Sequence, residues 1–335
     1  MSLAEAFRAQ LKPRKLALPI AVFTLLASAP FTIGEGYWLH VLIFAMYYAV
    51  LAQFWNLEAG YTGQFSFAYM AYSGIGAYTS ALTVIHLKIS PALGFLLGAL
   101  VAMVAGLFLG YLTLRMRAVY LALTTIAFSE IMRIVLTAEY WLTRGALGLS
   151  VPPLLSTPSK APYFYIILGI FAASVVVVHV IVNSKYGLFI RAIREDEHAA
   201  SCMGVNTVRY RVMVTTIGAL FSGLVGAFYA HYVLLISPNM IVFSEMAKVI
   251  CMSVVGGMET IYGPIIGAFF IQFLDEYLRT MNPVINEFFK RTINFTAKGE
   301  WRLLVFGAIL LATIRLTPQG LIAPLVSRVA KRRGR

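Results

Sequence analysis

Two pairs of opposite charges stand inside apolar stretches of the sequence: Glu130 with Arg133, and Glu245 with Lys248. Both have i,i+3 spacing, which puts the partners on one face of a helix. An unpaired charge at the centre of a bilayer costs about 2.5–3.5 kcal/mol on insertion scales, so Glu130 and Arg133 are expected to neutralise each other, facing a bundle interior. That makes them a structural ion pair, with a proton or ion relay as the alternative. Glu245 and Lys248 begin their apolar run, where an interfacial position costs less. His231 has no second His four residues away, so a hydrogen bond to a neighbouring helix is expected rather than a metal ligand. Cys202 and Cys251 lack Cys-x-x-Cys partners and read as ordinary small residues. Catalysis is not supported: H-E-x-x-H and G-x-S-x-G are absent, and Asp196 and Asp275 are the only aspartates. There is no Gly-Lys dipeptide and hence no phosphate loop, so any ATP hydrolysis belongs to a separate subunit, and no cofactor is expected.

Two polar stretches offer more than isolated charges. From Asn56 to Phe67, Gly60 and Gly63 are expected to free the backbone from helix, while Asn56, Gln64 and Ser66 supply polar groups beside a span. Irregular backbone at membrane depth persists only where protein or a water-filled cavity covers it, so these five residues are pathway candidates, with a tight turn as the alternative. Glu58, between them, reads as solvated at the surface. The second stretch runs Arg191-Ala-Ile-Arg-Glu-Asp-Glu-His-Ala-Ala-Ser-Cys-Met-Gly204. It predicts a short helix from Arg194 to Met203 with Glu195, Asp196 and Glu197 at its amino end, Gly204 as its stop, and Asn206 and Thr207 capping the next helix. Exposed Ala199 and Ala200 would let this helix seat in a groove on another protein.

The elements that hold these stretches are apolar helices. Of the 335 residues 60% are hydrophobic and 12% charged, against about 25% charged in ordinary globular domains. Hydropathy marks ten segments: Leu16–Ile33, Trp38–Phe54, Phe65–Ile85, Pro91–Leu114, Val119–Ala138, Tyr163–Val182, Val212–Ile236, Met246–Gly256, Ile261–Leu274 and Trp301–Leu316. The eighth and ninth are short, and Gly256-Gly257 and Gly263-Pro264 break them. If they are re-entrant the count falls to eight. The fold class is therefore an all-α polytopic bundle of eight to ten spans. The formal charge of +13 is concentrated at the two ends and in the loop 183–211, so most of the 27 Lys and Arg fall on one side when both termini are cytoplasmic. That distribution explains the charge by orientation and lipid contact and excludes nucleic acid as a partner. The organisation is a cytoplasmic segment 1–15, a membrane domain 16–316 with its cytoplasmic loop at 183–211, and a basic tail 317–335. An uncleaved first span is expected rather than a signal peptide, because Pro30 follows Ala27-Ser28-Ala29. Loop 139–162, rich in Gly and Pro, cannot be a continuous helix, and segment 275–300 reads as an outer connection with a short amphipathic helix. The small-xxx-small spacing of Gly94/Gly98, Gly106/Gly110, Gly218/Ser222/Gly226 and Gly263/Gly267 permits close helix packing.

Taken together, GYTGQFSF (60–67), Gly74–Tyr78, Arg115–Leu121, Ala127–Arg133, the Arg191–Gly204 loop, Gly226–His231, Ser237-Pro238, Val255–Met258, Tyr262–Pro264 and Pro318–Leu321 resemble one family over almost the whole chain. That family is the permease subunits of ATP-driven branched-chain amino-acid importers, in particular the LivM-type half of the permease pair. The resemblance implies a second permease subunit, two cytoplasmic ATP-binding subunits, a periplasmic or extracellular solute-binding protein and an inner-membrane location. It also implies that 191–204 docks on the ATP-binding subunit. Thr143–Leu149 and Tyr69 depart from the family pattern, which leaves urea, short amides or aromatic acids as alternative cargo. A self-sufficient secondary transporter would show more buried charges or an internal repeat.

Overall fold

A computed structural model of the chain describes residues 23–34 and 36–293, except 25, 114, 115, 117, 156 and 158, with side chains as far as Met281, and five residues between 307 and 315. The helices in order are α1 (Ala29–Ile33), α2 (Tyr37–Thr62), α3 (Tyr69–Leu87), α4 (Pro91–Leu112), α5 (Ala118–Ala138), α6 (Tyr140–Thr143), α7 (Ala161–Asn183), α8 (Lys185–Glu195), α9 (Glu197–Cys202), α10 (Thr207–Val233), α11 (Phe243–Gly256) and α12 (Gly263–Ile293). Two-residue strands β1 (Leu149–Ser150) and β2 (Leu235–Ile236) pair antiparallel. Among the described residues α2, α4, α5, α7 and α10 are long and apolar enough to cross a membrane. Of the first expected segment, Leu16–Ile33, residues 16–22 and 25 lie outside the described residues, and most of the last, Trp301–Leu316, does too.

Helix α2 is the axis of the bundle. Its 26 residues span about 39 Å. It is apolar on all sides, as a helix enclosed by others must be, and 83% of its most apolar window is buried. Helices α7, α10, α11 and α12 surround it, and α10 packs in turn on α3 and α4. Small residues set those distances. Gly226 on α10 lies against the backbone of Ser73 on α3, and Gly267 on α12 against the Met252 carbonyl on α11. A methyl group at 226 would overlap that backbone, so Gly226→Ala is expected to cost about 1–3 kcal/mol, read as a lower thermal midpoint of the detergent-solubilised protein.

Helix α5 is the opposite case, with only 11% of its window buried and Leu123, Ile131, Ile134 and Val135 facing outward. The loop 139–162 forms α6, a 3-10 turn at Gly145–Leu147 and β1, so it is not one helix, as its Gly and Pro content requires.

Two boundaries differ from the sequence reading. The chain continues without a break through Gly263–Ile293, 31 residues or about 47 Å, so the segment 275–300 does not begin as a separate connection. Asp275, Glu276 and Arg279 recur on one side of that helix with i,i+3 and i,i+4 spacing, and this amphipathic pattern extends the apolar run instead of ending it. Helix α11 has 14 residues, about 21 Å, too short for a hydrocarbon core of about 30 Å. Its amino end lies beside Tyr48, and the turn after its carboxyl end lies by Asn56.

Candidate functional site

The loop between α7 and α10 folds as two helices instead of one. Ser184 caps α8 through Tyr186 N–H at 3.2 Å. Asp196 adopts extended backbone and caps α9, its carboxylate accepting from His198 N–H at 2.8 Å and Ala199 N–H at 3.0 Å. The expected helix Arg194–Met203 is thus divided at Asp196, because a capping side chain fits only non-helical backbone. Glu195 closes α8, and Glu197 opens α9 and pairs with Arg211 of α10 at 2.7 Å. Gly204 has φ +81°, and Asn206 caps α10 by accepting from Arg209 N–H at 3.0 Å, both as expected. Ala199 is exposed with His198, Ser201 and Met203, but Ala200 is buried at 6% exposure, packed inward beneath the turn that Val205 N–H closes on its carbonyl. The outward face of α9 therefore has one alanine where two were expected.

The two amide bonds hold the Asp196 carboxyl below its usual range. A depressed carboxylate stabilises the fold above its unfolded pKa and loses that contribution as pH falls through the lower, folded value. Asp196→Ala is expected to speed exchange of the His198 and Ala199 amide protons at neutral pH, and wild type should approach the mutant rate only in acid; hydrogen–deuterium exchange reads both.

Helix α8 joins this loop to the end of α2. The Arg191 guanidinium lies 5.3 Å from the Tyr61 ring centroid, the Arg194 stem covers Gly63, and Arg194 pairs with Glu259 in the turn between α11 and α12. Neither Tyr61 nor Glu259 stood out in the sequence. Asn56 reaches the same turn from α2, donating to the Thr260 carbonyl at 2.9 Å and accepting from Glu259 N–H at 3.0 Å.

Gly60 does not free the backbone from helix. Helix α2 continues through it to Thr62, and its missing side chain lets the Glu259 amide approach. Only Gly63, at φ +72°, ends the helix. Beyond it, residues 63–68 run back beside α2 as irregular chain, buried at Gln64, Ser66 and Ala68 and exposed at Phe65, and side chains satisfy the backbone. Trp55 donates to the Ser66 carbonyl at 2.8 Å, Phe67 N–H to Thr125 Oγ1 at 3.0 Å, and Ser129 Oγ to the Phe67 carbonyl at 3.0 Å. Gln64 and Ser66 are buried in this packing. Glu58 is also buried, at 2% exposure, accepting from Thr215 Oγ1 at 2.7 Å, because α2 carries it inside the bundle instead of onto a surface turn.

The charged pairs divide differently from their spacing. Arg133 and Glu130 pair in two-pronged fashion, but on the outward face of α5, since Thr125 and Ser129 take the inward face to hold the irregular chain. Glu245 and Lys248 each find a partner on another helix instead of pairing with each other. Tyr48 Oη donates to Glu245 at 2.7 Å, and Lys248 pairs with Asp275 at 2.7 Å. His231 bonds Ser80 Oγ at 2.9 Å and the Pro152 carbonyl at 2.8 Å, as a helix-linking histidine should.

These features can be set beside known proteins. Residues 37–314 match the family model described as the permease component of branched-chain amino acid transport systems. The chain is 27% identical over 335 aligned residues, 90% of its length and 74% of theirs, to the high-affinity branched-chain amino acid transport system permease proteins LivM of Escherichia coli K12 and Salmonella typhimurium LT2. A probable LivM of Methanocaldococcus jannaschii is 23% identical over 47% of the chain and 45% of that protein. No solved structure matches. With its apolar crossing helices, this multi-pass membrane protein belongs to the family of branched-chain amino acid transport permease components.

Proposed function

We propose that the chain is one permease subunit of an ATP-binding-cassette importer, pairing with a second permease subunit and two cytoplasmic ATP-binding subunits. It would take branched-chain or related hydrophobic amino acids from an external binding protein and pass them across the inner membrane. The observation that carries this reading is the placement of α9: its outward face of His198, Ala199, Ser201 and Met203 is open to a partner, while α8 is clamped by Arg191 and Arg194 to the end of α2 and the α11–α12 turn. A push on α9 would reach the bundle axis through one short rigid helix. In this scheme Asn56, Gly60, Gly63, Gln64 and Ser66 form the inner closure of the pathway, and eight to ten spans put both termini and 183–211 in the cytoplasm.

Proteoliposomes that contain all the subunits should take up leucine only with internal ATP and a loaded binding protein, whereas the purified single subunit should take up none. Leucine uptake by the single subunit without ATP would overturn the importer reading. Orientation has its own check. In a chain with both cysteines replaced, Asp196→Cys should react with a membrane-impermeant thiol reagent only after the inner face is opened, and labelling of intact cells would reverse the topology.

Loss of the clamp should separate ATP turnover from transport. Arg194→Ala removes a charge-assisted pair and is expected to lower uptake about tenfold while the ATPase subunits stay bound, measured as leucine transported per ATP hydrolysed.

A further inference from the structure

At the end of the bundle away from α8 and α9, α2, α11, α12 and the segment before α11 enclose a cavity of about 360 Å³. None of the five residues expected to line a pathway borders it. Its wall divides by chemistry into three parts. One part is anionic and aromatic: Glu245 projects from the first turn of α11 beside Tyr47, Tyr48 and Tyr229. Glu245 accepts the Tyr48 hydroxyl and has no salt-bridge partner among the described residues. The Tyr48 ring is taken by Lys248, 4.4 Å from its centroid, and a carboxylate near the rings of Tyr47 and Tyr229 suits an ammonium group. The second part carries both signs, each cation facing a carboxylate of the same wall, Asp275 or Glu276. Lys248 uses one of three donors on Asp275 at 2.7 Å, and Arg279 borders the same space, its guanidinium 3.6 Å from Glu276. These donors suit a carboxylate. The third part, Phe44, Met70, Leu235 and Met240, is apolar and accepts an aliphatic side chain.

A second observation points to an occupant. Gln272 borders the cavity at 5% exposure, and its carbonyl oxygen Oε1 has no hydrogen-bond partner among the described residues. A buried amide oxygen without a donor costs about 1–3 kcal/mol, which an ammonium or ordered water would relieve. Charges buried within a membrane bundle are retained where they contact a substrate or ion. The amino end of α11 also offsets part of the charge of Glu245.

We infer that this cavity binds a zwitterionic amino acid, with Glu245, the tyrosine faces and Gln272 Oε1 holding its ammonium, Lys248 and Arg279 its carboxylate, and the apolar wall its side chain. The inference rests on the importer reading for its substrate class and assigns specificity for the zwitterion to the permease itself. Recognition then depends on both charged ends of the ligand.

The test uses the reconstituted complex with Cys202→Ser, Cys251→Ala and Ser237→Cys, since Ser237 lines the cavity. L-leucine should slow modification of position 237 by a methanethiosulfonate reagent at least threefold. Isocaproate, which lacks the ammonium, and leucinamide, which lacks the carboxylate, should not. Glu245→Gln should lose the protection and Glu245→Asp should keep it. Equal protection by isocaproate and leucine would overturn the ammonium assignment, and equal protection by leucinamide would overturn the carboxylate assignment. Leucine without effect on labelling, in a complex that still transports leucine, would overturn the cavity proposal and leave the importer reading intact. The ligand series needs no change at Glu245, so it decides the question even if the Glu245 variants fail to fold.

Discussion

Ala199→Trp is expected to abolish uptake and release the ATPase subunits while the permease itself stays folded. The reasoning starts from the two alanines of α9. Ala200 is enclosed by the chain's own turn, so bulk there would break the loop from within and could not separate docking from folding. Ala199 faces outward between His198 and Met203, the latter 85% exposed, and nothing in the described chain opposes an indole there. Helix α9 has six residues, about 9 Å, so its contact with a partner is small and one large side chain prevents seating. Surface substitutions that disturb no contact cost within about 0.5 kcal/mol of stability. The thermal midpoint of the variant should therefore match wild type, while ATPase co-purification falls at least tenfold and uptake to background. Wild-type co-purification and uptake would move the docking surface elsewhere, with the α4–α5 connection as the next place to look.

Much of the architecture could be read from the sequence because membrane spans are written in runs of apolar residues. The cap and stop residues Asn206 and Gly204 could be read for a similar reason: their chemistry is local. The errors share a cause as well. Spacing on one helix says which residues share a face, but not which way the face turns. Glu130 and Arg133 pair as their i,i+3 spacing requires, yet the pair points outward because Thr125 and Ser129 are needed inside to hold Phe67. Glu245 and Lys248 have the same spacing and ignore each other, since Tyr48 and Asp275 on other helices stand closer. Glu58 looked like a surface residue because glycines follow it, but α2 persists to Thr62 and takes it inside. The charged cavity could not be read at all. Its walls come from residues as far apart as His40 and Arg279, and no local signal links them.

The buried pair in that cavity gives the second large effect. Lys248 and Asp275 are each 9% exposed, and Lys248 also lies 4.4 Å from the Tyr48 ring centroid. Removing one partner of such a pair leaves a desolvated charge uncompensated and costs about 3–5 kcal/mol, whereas replacing both with apolar residues of similar volume is often neutral or stabilising. Asp275→Leu, which strands Lys248, should therefore lower the thermal midpoint of the solubilised complex sharply, and Asp275→Leu with Lys248→Met should restore it to within about 1 kcal/mol of wild type. Leucine uptake should follow a different course. If Lys248 also supplies donors to the solute carboxylate, the double variant recovers stability without recovering transport. Recovery of both would limit the pair to holding α11 against α12. A double variant no more stable than the single one would mean that Lys248 keeps enough solvent or other contacts to bear its charge alone. Comparing the two readouts in one set of proteins separates what the ion pair does for the fold from what it does for the solute.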